Sequence, residues 1–187
     1  MKIAFIGTHG VGKTTLCFDL ASRLKRLDLG VEIVREVARG CPLPINQDTT
    51  LEAQAWILHT QIAEEIAAVH RFPAVICDRS VLDNYAYLVH RAGRRTEYDA
   101  LVARWVATYD GLFKVPIREP PTFDGTRDLS GRFQAEIDAT IEELIGAFGV
   151  ACHRLDATNR DGWVDAVLFV MRLPFRSPQM DLLAQGP

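Results

Sequence analysis

Short runs of consecutive apolar residues alternate along this chain with longer segments in which apolar residues recur every three or four positions. Continuous runs predict buried strands, and the longer spacing predicts helices that bury one face. The runs that we interpret as strands cover residues 3–6, 31–34, 74–77, 112–115 and 151–155. Because helical segments separate these runs, the pattern predicts an α/β fold with a parallel sheet covered by helices on both faces.

The longest helical segment lies between the second and third predicted strands. It follows a proline-containing loop at residues 41–50, and Pro73 ends it. One apolar stripe runs along the segment and predicts its buried face. The members of this stripe are Leu51, Ala55, Leu58, Ile62, Ile66 and Val69.

Polar and glycine-rich residues follow several of the predicted strands. In open parallel sheets, ligands bind beyond the carboxyl ends of the strands, so these positions are the candidates for function. The segments concerned are 7–14, 36–39, 78–79, 118–132 and 156–158.

The first of these segments fits the phosphate-binding pattern G-x-x-x-x-G-K-[ST] at every fixed position, between a predicted strand and a predicted helix. Its backbone N–H groups and the helix N-terminus favour an anion. Lys13 can reach the β- and γ-phosphates of a nucleoside triphosphate, Thr14 can ligate Mg²⁺, and Thr15 can contact the α-phosphate. We interpret His9 as a residue that shapes the loop or faces solvent, and not as a catalytic residue. The predicted ATP-binding residues here are Gly7, Thr8, His9, Gly10, Val11, Gly12, Lys13, Thr14 and Thr15.

Asp78 and Arg79 follow the third apolar run. If the first and third strands are neighbours, Asp78 lies beside the phosphate loop, where it can hold a water on Mg²⁺ or accept a proton from an attacking hydroxyl. Arg79 then faces the acceptor or the transferred phosphoryl group. The alternative is structural, because Asp78 or Ser80 can cap the helix that begins at residue 81.

Glu36 and Arg39 follow the second strand at a spacing that can place both on one helical face. We interpret them as acceptor-binding residues, with Glu36 accepting sugar hydroxyls and Arg39 binding a phosphate or carboxylate. The alternative is a solvated ion pair.

A proline- and glycine-rich segment at residues 116–133 carries Arg118, Arg127 and Arg132. Phosphoryl transfer needs positive charge around the γ-phosphate, and a closing loop supplies it while excluding water. We therefore predict a lid in which Arg127 and Arg132 are catalytic. An ordinary exposed loop is the alternative. The lid belongs to a single domain at residues 1–173, followed by a poorly packed tail at 174–187.

Composition narrows the possible partners and the cellular compartment of the protein. The formal net charge of −3 argues against a nucleic-acid partner, which usually meets a basic surface. The four cysteines form no C-x-x-C pair, so we expect buried, reduced thiols and a cytoplasmic protein. No apolar stretch approaches the roughly 20 residues of a membrane-spanning helix, so we expect no membrane partner. The sequence leaves open whether the protein forms a homodimer.

Together these residues resemble the P-loop kinases of the nucleoside and nucleotide kinase group. Over most of residues 1–172 the chain is similar to the ribosylnicotinamide kinase domain of the bacterial NAD-biosynthesis regulator. The segment 35–39 looks like the acidic–basic segment of that family, Asp78-Arg79-Ser80 is similar to the Asp-Arg pair of thymidylate-kinase-like enzymes, and 124–127 followed by 132–133 looks like the family's lid.

The resemblance implies a P-loop three-layer sandwich with a five-stranded parallel sheet, helices on both faces and a short lid. It also implies Mg²⁺-dependent transfer of the γ-phosphoryl group of ATP to a nucleoside-like or nucleotide-like small molecule. Asp156, Ala157 and Thr158 would then lie near the adenine. Ribosylnicotinamide kinases do not as a rule carry an arginine at the position of Arg79, so the acceptor stays open.

Two other functions compete with a small-molecule kinase. One is an ATPase or switch module that acts through a protein partner, and the other is a kinase of polynucleotide 5′ ends. The acidic net charge weighs against the second.

Overall fold

The computed structural model describes residues 1–45, 48–118 and 131–175. Five strands in this part of the chain form one parallel sheet in the order β2-β3-β1-β4-β5. The strands are β1 (Lys2–Ile6), β2 (Val31–Val34), β3 (Ala74–Asp78), β4 (Gly111–Lys114) and β5 (His153–Arg154). The helices are α1 (Lys13–Lys25), α2 (Leu51–Arg71), α3 (Val81–Ala92), α4 (Thr96–Val106), α5 (Gly131–Phe148) and α6 (Trp163–Val170), with a short 3₁₀ helix at Val37–Gly40.

The central strands are continuously apolar because the sheet is buried on both sides. Alternate residues of β1 enter two different cores: Ala4 and Ile6 pack with α2, α3, α4 and α5, whereas Ile3 and Phe5 pack with α1 and α6. The helices therefore form two layers around the sheet, which explains the absence of a polar alternation in β1 and β3. The predicted α/β fold is confirmed.

The register of the sheet brings the carboxyl ends of its central strands level with one another. Phe5 of β1 lies beside Asp78 of β3 and beside Phe113 of β4. The first and third strands are thus direct neighbours, so the segments that follow β1 and β3 leave the sheet side by side.

The helix α2 buries a different face from the one that its apolar stripe predicts. Ile66 and Val69 are 54% and 45% exposed, whereas Gln61 and Glu65 are fully buried. The stripe was wrong at its C-terminal end because the buried face carries polar groups that bond to residues from distant parts of the sequence. Glu65, for example, pairs with Lys2 of β1.

The edge of the sheet also differs from the prediction. The strand β5 covers only residues 153–154, and both are exposed, whereas the apolar run predicts residues 151–155. Edge strands are commonly short, and shortness limits pairing with other chains. Among the described helices, none is both long and apolar enough to cross a membrane.

Truncation of two apolar side chains on α2 tests this burial pattern. Leu58 is fully buried and Ile66 is 54% exposed. We expect Leu58→Ala to lower the free energy of unfolding by about 2–5 kcal/mol through lost burial and cavity formation. We expect Ile66→Ala to change it by about 0.5 kcal/mol or less. Urea unfolding of both variants provides the measurement, and equal losses would contradict the assignment of the buried face.

Candidate active site

The phosphate loop connects β1 to α1 and has glycine at three positions of positive φ. Gly7, Gly10 and Gly12 have φ values of 142°, 77° and 95°, in the region that side chains disfavour. A Cβ at Gly7 would also lie 2.8 Å from the carbonyl oxygen of Val115. No side chain caps α1, and no acidic residue stands in its first turn, so its N-terminal N–H groups suit an anion.

Lys13 lies inside this loop, with its side chain buried. Its Nζ donates to the carbonyl oxygens of Gly7, at 2.9 Å, and Thr8, at 2.6 Å. Burial and, after it, the positive charge of Arg79 lower the pKa of Lys13 to about 8. Negative charge placed beside the Lys13 ammonium would raise that pKa again.

Thr14 and Asp78 meet where β1 and β3 end. The Thr14 hydroxyl donates to Oδ2 of Asp78 at 2.5 Å. A hydroxyl and a carboxylate in contact are oxygen ligands of the kind that Mg²⁺ accepts, and Mg²⁺ takes its remaining ligands from water and phosphate. The described residues contain no cluster of three or more metal-ligating side chains. The pair therefore fits a metal held mainly by its nucleotide, and it does not fit a metal enclosed by protein ligands.

Glu36 and Arg79, from the ends of β2 and β3, form an ion pair in which the Arg79 side chain is buried and the Glu36 side chain is partly exposed. Arg79 Nε donates to Glu36 Oε1 at 2.7 Å, and Arg39 Nε donates to Glu36 Oε2 at 3.0 Å. Burial opposes the charge of Glu36, but the charges of Arg79 and Lys13 outweigh it and lower the pKa of Glu36 to about 2. Glu36 is therefore a carboxylate across the physiological pH range, and the predicted acceptor-binding residues lie together.

Arg79 is fixed from several directions. Its Nη1 lies 3.4 Å from Oδ2 of Asp83 and 3.5 Å from the carbonyl oxygen of Gly7. Its guanidinium also stands over the ring of Tyr87, 5.0 Å from the centroid. The backbone at Arg79 has a φ of 91°, which costs about 1–3 kcal/mol for a residue with a side chain and persists only where surrounding contacts enforce it.

The structural alternative for this segment, a helix cap, is also present, and the capping residue is Ser80. The Ser80 hydroxyl accepts from the backbone N–H of Leu82 and of Asp83, and Asp83 accepts from the Ser80 N–H in return. Ser80 is therefore the N-cap of α3, whereas the Asp78 carboxylate accepts from Thr14.

A cavity of about 350 Å³ joins all these groups, a size within the ordinary range of small-molecule sites. The predicted residues in its lining are His9, Gly10, Val11, Gly12, Lys13, Thr14, Thr15, Glu36, Arg39, Asp78, Arg79 and Arg118. Gly7 and Thr8 form the base of the loop without lining the cavity.

Several cavity residues were missed in the sequence. Gln54 comes from α2, whereas Asn84 and Tyr87 come from α3, three residues apart on one face. The three-residue spacing of Asn84 and Tyr87, shortly after Asp78 and Arg79 in the sequence, was the signal that could have identified them as cavity residues. Arg160 is also in the lining, and its guanidinium lies 3.5 Å from the point where a Cβ on Gly12 would stand.

Some predicted residues are not part of the cavity. Asp156 accepts from the N–H and hydroxyl of Thr158, so both residues, with Ala157, form an exposed turn outside the lining. Arg132 is exposed and pairs with Glu136 at 2.7 Å. Arg127 and most of the predicted lid lie outside the described residues, as does the tail from residue 176 onwards. Their predicted roles stay predictions.

His9 connects the phosphate loop to α5. Its Nδ1 lies 3.3 Å from the hydroxyl oxygens of both Thr8 and Tyr87, and its ring stacks on Phe133 at 5.7 Å. Gln134 donates to its carbonyl oxygen at 2.9 Å. The interpretation of His9 as a residue that shapes the loop agrees with these contacts.

Comparison with known proteins gives a family and a set of similar folds. A family model described as an AAA domain matches residues 2–161. No curated protein matches the chain at a significant level. Deoxyadenosine kinase from M. mycoides is 16% identical, with a TM-score of 0.64 over 92% of this chain and 99% of that chain. Thymidylate kinase from Ehrlichia chaffeensis is 18% identical, with a TM-score of 0.64 over 90% and 96%. These findings confirm the predicted P-loop kinase fold.

The lowered pKa of Lys13 predicts that binding of a triphosphate depends on pH. Below pH 8 Lys13 is already charged, whereas above pH 8 it must take up a proton to pair with phosphate. We therefore expect the affinity for ATP to fall as the pH rises from 8 to 9.5, by at most about tenfold per pH unit for one proton. Calorimetric titrations in buffers of different ionisation enthalpy measure the uptake, and Lys13→Met is the control. Equal uptake by both proteins would contradict the assignment.

Proposed function

This chain belongs to the AAA domain family, and we propose that it is a kinase that transfers the γ-phosphoryl group of ATP to a nucleoside-like or nucleotide-like acceptor. One observation carries the proposal: the phosphate loop and the ion pair Glu36–Arg79 line the same cavity. A module that only bound or hydrolysed nucleotide would need no second group of charged residues facing the phosphates. The deoxyadenosine kinase and thymidylate kinase folds support an acceptor of this class.

At the nucleotide end, the loop N–H groups and Lys13 bind the phosphates. Thr14 and Asp78 would hold Mg²⁺, which when bound neutralises phosphate charge and aligns the oxygens for transfer. Because Asp78 already accepts from Thr14, we assign Asp78 to Mg²⁺ binding and assign contact with the phosphoryl acceptor to other residues. Arg160, next to Gly12, is placed to contact the nucleotide.

At the acceptor end, Glu36 presents a carboxylate oriented by Arg39 and Arg79. We propose that it accepts a hydrogen bond from the attacking hydroxyl and so orients that oxygen toward the γ-phosphorus. A pKa of about 2 makes Glu36 a weak base. A loose transition state develops little charge on the attacking oxygen, so orientation contributes more than early proton removal. Arg79 and Lys13 then stabilise the charge on the transferred group.

A screen of acceptors tests the proposed activity. The protein is incubated with ATP and Mg²⁺ and with separate sets of nucleosides, nucleoside monophosphates and oligonucleotides with 5′-hydroxyl ends. We expect a phosphorylated product with a member of the first or second set. Lys13→Ala is the control and should lower turnover by about 10²-fold or more. Phosphorylation of oligonucleotides alone, or ATP hydrolysis without any phosphorylated product, would overturn the proposal in favour of one of the two alternatives.

Asp78→Asn tests the metal assignment. The amide keeps the size and can still accept from Thr14, but it loses the charge that attracts Mg²⁺. We expect the Mg²⁺ concentration for half-maximal rate to rise and turnover at saturating ATP to fall by about 10²-fold. Binding of ATP without metal should change little, and the melting temperature confirms the fold. An unaltered Mg²⁺ dependence would contradict the assignment.

Glu36→Gln tests the acceptor end. The change removes the carboxylate that orients the attacking hydroxyl, so we expect kcat/KM for the acceptor to fall by about 10²-fold. ATP affinity should be nearly unchanged. Glu64→Gln is the matched control, because it removes one carboxylate at an exposed position of α2 that does not line the cavity. A loss of ATP binding as large as the loss of kcat/KM would place Glu36 on the nucleotide side.

A further inference from the structure

A buried polar cluster connects α2 with the start of β1 and with the end of α4, and its members do not line the cavity. Its centre is Glu65, which is fully buried and accepts four hydrogen bonds. Lys2 Nζ and Trp105 Nε1 both donate to Oε2 at 2.7 Å. Gln61 Nε2 donates to Oε1 at 2.9 Å, and the Tyr109 hydroxyl donates to the same oxygen at 2.6 Å. Glu65 is therefore the common acceptor of donors from α2, β1 and the end of α4.

Two of these four donors also contact the chain immediately after Asp78. Gln61 Nε2 reaches the carbonyl oxygen of Arg79 at 3.3 Å. The backbone N–H of Val81 donates to the Tyr109 hydroxyl at 3.1 Å. Burial and, after it, the charge of Glu65 raise the pKa of Tyr109 well above its ordinary value, so the hydroxyl keeps its proton and donates a hydrogen bond to Glu65. The segment 79–81 is therefore bonded at both ends to side chains that Glu65 orients.

The backbone of this segment is strained at its first residue. Arg79 has a φ of 91°, a conformation that external contacts must enforce. Its N–H bonds to the carbonyl oxygen of Phe5 within the sheet, but its carbonyl oxygen bonds to Gln61. Asn84, a cavity residue, also donates to Oε1 of Gln61, at 3.4 Å.

We propose that Gln61 and Tyr109, oriented by Glu65, are positioning residues that hold Arg79 against Glu36 in the cavity. None of the three lines the cavity, so each acts through Arg79. The kinetic part of this inference rests on the proposed kinase activity. Its structural part, the placement of the Arg79 guanidinium, does not.

Three conservative substitutions separate positioning from general support of the fold. Gln61→Met and Tyr109→Phe each remove one donor to Glu65 together with a bond to the segment 79–81. Trp105→Phe is the matched control, because it also removes one donor to Glu65 but has no bond to that segment. All three leave the Lys2–Glu65 ion pair in place, and melting temperatures establish that each variant is folded.

The first measurement needs no activity. In ¹⁵N-labelled protein, the Arg79 Nε–H resonance reports the bond of 2.7 Å to Glu36. We expect Gln61→Met and Tyr109→Phe to shift this resonance and speed its exchange with water, and Trp105→Phe to leave it unchanged. An Arg79 resonance that is unaltered in all variants, or altered equally in all three, overturns the proposal. This result is independent of whether an acceptor is found.

The second measurement uses ATP and the acceptor identified in the screen. We expect kcat to fall by about tenfold or more in Gln61→Met and Tyr109→Phe, with the KM for ATP changed less than twofold, since misplacement of a positioned group acts mainly on turnover. In an Arg79→Ala background, Gln61→Met should cause no further loss, because residues that act through one another are not additive. Additive losses, or an equal fall in Trp105→Phe, overturn the proposal.

Discussion

A buried guanidinium has to be surrounded by acceptors, and that requirement at Arg79 organises the binding face of this molecule. Removing a charge from water is costly unless opposite charge and hydrogen bonds replace the solvent. Glu36 comes from the end of β2, Asp83 from the first turn of α3 and the carbonyl of Gly7 from the phosphate loop. Each of these three elements therefore bonds to the Arg79 side chain, which connects them to one another.

The same charge affects the groups around it in opposite ways. It helps to keep Glu36 ionised, and it acts together with burial to weaken the hold of Lys13 on its proton. A carboxylate that stays charged and an ammonium that is easily neutralised thus share one cavity. Bound phosphate brings most of the negative charge to such a site, and that charge would raise the pKa of Lys13 again and keep it protonated.

Features that depend on adjacent residues could be predicted from the sequence. The phosphate loop is local, because its glycines, Lys13 and Thr14 act within eight consecutive positions. The strands follow from continuous apolar runs, and the register of β1 and β3 explains why Asp78 meets Thr14. The face of α2 could not be predicted in the same way, because Gln61 and Glu65 are buried through partners about 20 to 60 residues away. Arg160 was missed because its proximity to Gly12 depends on how the chain returns after β5.

The pairing of Phe5 with Asp78 has a consequence for how this sequence can vary. Successive residues of a strand point to opposite faces, so one inserted or deleted residue within β3 would exchange the two faces of everything that follows it in the strand. Cys77 and Asp78 would trade environments, and a carboxylate would enter the apolar layer under α3. A change in the length of β3 would therefore leave a charged group in an apolar core, which is costly. We therefore expect the length of β3 to be fixed, and changes in chain length to be tolerated in the surface connections between strands.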